Sequence, residues 1–106
     1  MQSNDAKEQK LLAALGLAMK AGRVRSGELS AQKALKSGKA CLIMIDSSAS
    51  DASQKRWSDA CSYHGTELVV CKGVGSAIGR EAHIVACVTD NGFAQMILRA
   101  HKDIES

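Results

Sequence analysis

The chain has 106 residues, of which 45% are hydrophobic and 24% charged, with a net charge of +3. That length suits one domain with its own core and excludes two. The hydrophobic share excludes a disordered chain, and the absence of proline excludes a Pro-rich recognition arm.

Residues 1–6 are polar and are expected to be a disordered N-terminus, with residues 7–106 forming a single domain. The opening residues lack a basic stretch followed by an apolar one. The apolar segment 11–19 is too short to span a bilayer and is interrupted by Gly16. The expectation is a cytoplasmic protein with no membrane partner. From Lys7 to Ala21, Leu11, Leu12, Leu15, Ala18 and Met19 recur at helical spacing, and Gly22 fits a helix stop. Arg23 to Arg25 alternates like a short edge strand. A second helix is expected over Glu28–Ser37, with Ala31, Ala34 and Leu35 inward and Gly38 at its end. Ala40 to Ile45 is an apolar run that reads as a strand buried on both faces, closed by Asp46. Ser48 and Asp51 resemble a helix-opening box for a helix over Asp51–Tyr63 that buries Trp57, Ala60 and Cys61. Glu67–Cys71 reads as another buried strand, Gly73–Gly79 as a loop with a helical turn, and Ile84–Thr89 as a further strand. Asp90 or Asn91 caps a last helix, about Gly92 to His101, with Phe93, Met96, Ile97 and Ala100 inward. Helices alternating with buried strands imply an α/β fold, a three-layer α/β/α sandwich with a mostly parallel sheet.

Catalytic and metal motifs are not found. The four cysteines, Cys41, Cys61, Cys71 and Cys87, form no Cys-x-x-Cys and read as buried, reduced thiols. The segment Gly73-Val-Gly75-Ser-Ala-Ile-Gly79 departs from a dinucleotide fingerprint, which needs glycine at Ile78. Asp46, at a strand end, lacks the companion carboxylates of a phospho-acceptor site and reads as a turn or cap residue. No histidine has an adjacent nucleophile in a recognisable arrangement. Trp57, Tyr63 and Phe93 all fit core positions, so no base-stacking platform is expected.

The informative feature is charge distribution. Residues 20–39 hold Lys20, Arg23, Arg25, Lys33, Lys36 and Lys39 against Glu28 alone, while the remainder is slightly acidic. This is the footprint of a surface that meets a polyanion. Within it, a basic strand end leads through Ser26-Gly27 into a helix N-terminus. The first N–H groups of such a helix lack intrahelical partners and favour phosphate. Gly27 allows close approach to the backbone.

Five short stretches carry a family resemblance: Leu-Gly-Leu-Ala-Met-Lys-Ala-Gly (15–22), Ser-Gly-Glu (26–28), Lys-Ala-Leu-Lys-Ser-Gly-Lys-Ala (33–40), Ala-Ile-Gly-Arg (77–80) and Val-Thr-Asp-Asn-Gly-Phe-Ala (88–94). In order and spacing the chain resembles the kink-turn-binding ribosomal protein family of the L7Ae and L30e type, especially its short bacterial branch of the YlxQ type. The resemblance implies an L30e-like sandwich around a four-stranded mixed, mostly parallel sheet. It also implies a helix N-terminus and one loop docked on sharply bent RNA with tandem sheared G·A pairs. By match to the motif, Gly27 approaches the RNA backbone and Lys33 reaches a G of those pairs. Arg25 is the basic residue ahead of the glycine, and Arg80-Glu81-Ala82-His83 is the second contact loop. The archaeal and eukaryotic pattern has Asn-Glu two and three residues after the glycine, where this chain has Leu29 and Ser30. That change removes an amide and a carboxylate that hydrogen-bond base edges, with Glu28 adjacent.

The expected RNA contacts are therefore Arg25, Ser26, Gly27, Glu28, Leu29, Lys33, Lys36, Arg80, Glu81 and His83. The expected partner is structured RNA, ribosomal RNA included, met by a monomeric, ribosome-associated, non-enzymatic protein with no cofactor or metal. A protein-interaction module of the same fold is the alternative, since a fold does not fix function.

Overall fold

The computed structural model describes the backbone of residues 2–105 and the side chains of residue 6 and of residues 8–103. The disorder expected over residues 1–6 falls largely outside the described side chains. Nine elements follow one another: α1 (Gln2–Lys20), β1 (Val24–Ser26), α2 (Glu28–Lys36), β2 (Leu42–Asp46), α3 (Asp51–His64), β3 (Glu67–Cys71), α4 (Val74–Ala77), β4 (Val85–Val88) and α5 (Asn91–Glu105).

The strands form one four-stranded sheet in the order β1-β4-β2-β3. It is mixed, as expected, but not mostly parallel. Only β2 and β3 run parallel, while β4 is antiparallel to both β1 and β2. The cause is the path of the chain between strands. Helix α3 carries the chain back along the sheet between β2 and β3, which makes them parallel. The link from β3 to β4 holds only the four-residue α4 and stays at one end of the sheet, so β4 returns in the opposite sense.

Alternation of side chains across the sheet builds two core halves. On one face Leu42, Met44, Val69, Ala86 and Val88 meet Leu11, Leu15 and Ala18 of α1 and Ala94 and Ile97 of α5. On the other Ile43, Ile45, Val85 and Cys87 meet Ala31, Ala34 and Leu35 of α2 and Trp57 and Cys61 of α3. The central strands β2 and β4 are buried on both faces, which explains their unbroken apolar runs. The result is the expected three-layer sandwich.

Several local expectations change. Strand β3 lies at a sheet edge, where Val69 and Cys71 are buried on one face while the other leaves Leu68 half-buried and Val70 exposed. Helix α3 is capped by Ser50, whose Oγ accepts from Ser53 N at 3.1 Å, rather than by Ser48. Ser48 instead donates its backbone N–H to Asp46 Oδ1 at 2.9 Å. In α5 the inward place expected for Met96 goes to Ala94, and Met96 is exposed. Tyr63, at the last turn of α3, is 86% exposed and packs edge-on against His64 rather than entering the core. Cys61, Cys71 and Cys87 are buried, whereas Cys41 is only half-buried. No described helix is long and apolar enough to cross a membrane.

Candidate functional site

Strand directions bring three chain segments to one end of the sheet. These are the end of β1 with the start of α2, the end of β2, and the β3–β4 link from Lys72 to Ile84. Gly27 joins β1 to α2. Its N–H donates to Val85 O at 2.9 Å, and its carbonyl accepts the first helical bond from Ala31 N at 3.0 Å. It does so at φ 90° and ψ 155°, a region essentially reserved for glycine. Gly27 supplies no side-chain cap, so the first N–H groups of α2 stay unclaimed by the helix and point outward with the positive end of its dipole.

The β3–β4 link is folded tightly onto this end. Asp46 Oδ2 accepts from Gly73 N and Val74 N, both at 2.9 Å. Burial pulls the Asp46 carboxyl upward, but the donors from Ser48, Val74 and Gly73 outweigh it and hold its pKa below the ordinary value. Both carboxylate oxygens thus accept from backbone donors, the turn and cap role expected of this residue. Arg80 N then donates to Gly75 O at 2.8 Å and His83 N to Arg80 O at 2.9 Å. A Cβ on Gly75 would lie 2.6 Å from His83 O and 2.7 Å from Arg80 O, so only glycine lets the link close on itself.

The link and α2 meet at His83. Its Nδ1 lies 3.0 Å from Ser26 Oγ, and its ring sits over Gly27, where an added Cβ would stand 3.4 Å from Cε1. Ser26, Gly27 and His83 therefore form one tip. Arg80, Glu81 and Ala82 are exposed on the link beside it. Leu29, in the first turn of α2, is 77% exposed, an unusual setting for a large aliphatic group. Glu28 turns to α3, with Oε1 3.1 Å from Arg56 Nη2. Arg25, Lys33 and Lys36 are exposed and gather on the outer side of α2, away from His83.

The sequence reading missed three parts of this arrangement. Arg56 lies 28 residues from its partner Glu28, and the Ser26–His83 contact spans 57 residues, so no local pattern announces either. Asp46 was legible as a cap residue, but not as the anchor of the link that carries His83. Among the described residues no group of three or more His, Cys, Asp or Glu is placed to hold a metal ion.

Residues 9–98 match the model of the "Ribosomal protein L7Ae/L30e/S12e/Gadd45 family". The chain belongs to this family. Among its relatives is the "RNA-binding protein YlxQ" of Bacillus subtilis (strain 168), 37% identical over 87 residues, or 79% of this chain and 87% of that protein. A protein of the same name from Enterococcus faecium is 30% identical over 95 residues, covering 87% of this chain and 91% of that one. Among solved structures, a Bacillus halodurans protein described as having unknown function superposes with a TM-score of 0.82. It is 29% identical, over 92% of this chain and 98% of that one. The Giardia lamblia 15.5kD RNA binding protein superposes with a TM-score of 0.76 at 20% identity, over 94% of this chain and 88% of that one, a likeness of fold. The family's sandwich is thus the frame that sets the Gly27 tip.

Proposed function

We propose that this family member binds structured RNA of the kink-turn kind, as a cytoplasmic, monomeric, ribosome-associated protein. The observation that carries the reading is the tip. An uncapped α2 N-terminus enters through Gly27 at a glycine-only backbone conformation, with the His83 link locked against it and Lys33 one to two turns behind. Bent RNA needs a surface where its backbone can approach main chain without meeting a Cβ. It also needs N–H donors for phosphate and a cation that reaches a guanine edge. The RNA-binding names of two relatives point the same way.

In this reading Ser26, Gly27 and His83 position the RNA backbone, with Arg80 and Glu81 beside them on the link. Leu29 lies flat on a ribose or base face in place of an amide that would hydrogen-bond. Glu28 keeps its bond to Arg56 and holds the first turn of α2 against α3. Lys33 donates to a guanine of the sheared pairs.

The test is an anisotropy titration of a kink-turn hairpin against a straight duplex of equal length. The hairpin is expected to bind at least tenfold more tightly, and Lys33→Ala to weaken it by ~1–3 kcal/mol, the worth of one good base contact. Equal affinity for the two RNAs, or an unchanged hairpin affinity in the variant, rejects the assignment. A protein-interaction module predicts no RNA affinity even at low salt.

A further inference from the structure

Resting on the RNA reading of the tip, we propose that a second surface holds the phosphodiester backbone of the RNA strand that leaves the bend. This surface is the basic groove between the edge strand β1 and the outer side of α2. The groove encloses about 650 Å³ and is lined by Arg25 of β1, Lys33 and Lys36 of α2, and Lys39 and Thr89 beyond the ends of α2 and β4. Lys33 lines this groove and, in the proposed RNA contact, also reaches the guanine, so one side chain links the two surfaces.

Its chemistry selects the occupant. Four cations line it and no carboxylate does. Neither the Lys55–Asp59 nor the Arg56–Glu28 ion pair uses any of the four. Lys33 and Lys36 stand roughly 4.5 Å apart along the helix axis, so their ammonium groups can serve neighbouring phosphates. Ser30 adds a hydroxyl to the lining, while those of Ser37 and Thr89 are donated to the backbone carbonyls of Ala34 and Arg23. No aromatic side chain lines the groove, so bases have nothing to stack on, and the groove reads backbone charge rather than sequence. A protein partner would meet an uncompensated row of like charges with no large apolar anchor, the reverse of a protein-binding hot spot.

The experiment compares a minimal kink-turn hairpin with the same hairpin extended by ten unpaired nucleotides on either side of the bend. The full chain and Lys39→Glu are titrated by anisotropy at several salt concentrations. An extension on one side is expected to raise wild-type affinity on the order of tenfold at low salt. It should also steepen the log–log salt slope by about 2, as three further cations displace counterions from a single strand. Scrambling the extension should leave the gain intact. Lys39→Glu should abolish the gain while binding the minimal hairpin within twofold of wild type. The groove is overturned if extension on neither side adds affinity, or if Lys39→Glu weakens minimal and extended RNAs alike. Should the minimal hairpin bind no better than a straight duplex while a Lys39-dependent gain from the extension persists, the tip reading fails and the groove stands.

Discussion

Gly27, Asp46 and the cysteines each have a local consequence that can be measured. Gly27 sits at φ 90° beneath the His83 ring, so Gly27→Ala adds both backbone strain and a methyl against the imidazole. It is expected to cost ~1–3 kcal/mol of stability, read as a lower urea midpoint by the fluorescence of buried Trp57, and to weaken RNA binding further. Asp46 is the second. Its folded-state pKa lies below that of the unfolded chain, so its stabilisation is fully present above the unfolded value and is lost as pH falls through the folded one. Asp46→Asn should therefore flatten the acid limb of a stability-against-pH curve below about pH 4, and an unaltered limb would show that the cap carries no linkage. The cysteines form a third case. Burial raises Cys61 to about 11 and Cys71 and Cys87 to about 12, so the native protein should expose only half-buried Cys41 to a thiol reagent, with four thiols reacting after denaturation. Glycine at 27 and aspartate at 46 were legible as turn and cap residues because those roles are local. The Ser26–His83 contact was not, because it depends on two segments far apart in the chain.

At the level of elements, the helices were read most faithfully. The inward residues Ala31, Ala34 and Leu35 of α2 and Trp57 and Cys61 of α3 follow from a 3.6-residue period. Helix α5 shows where the period misleads. Met96 and Ala94 both suit an inward stripe, and the packing of α5 beside α1 buries the smaller residue. Ile97, fully buried between α5 and the sheet, is a strong test of that packing. Ile97→Ala should lower stability by ~2–5 kcal/mol, whereas Met96→Ala, on the exposed side, should change it by about 0.5 kcal/mol or less. Equal effects of the two would reverse the assigned orientation of α5. Strand β3 is the companion case. Its apolar run resembles that of β2, yet its place at the sheet edge leaves Val70 in solvent. Hydrophobicity marks a strand, but it does not say how many neighbours the strand has.

Over the whole molecule, charge asymmetry sets the kind of partner. RNA affinity should fall steeply between low and physiological salt, with a log–log slope of about −3 or steeper if four or more phosphates are met. A shallow slope would leave the basic face without a role in affinity. The sequence by itself determined the α/β class, the two-sided burial of β2, and the single basic segment around Gly27. All three depend on local periodicity or on neighbouring charges, which the chain displays directly. Only the tertiary structure decided that β4 inserts antiparallel between β1 and β2. That arrangement follows from a link that folds back on itself and is pinned by Asp46 at one end of the sheet, and from cores that fill only when both faces are covered. The same insertion brings His83 onto Gly27 and sets Thr89 beside Arg25. The tip and the groove are products of strand order, which no spacing within the sequence encodes.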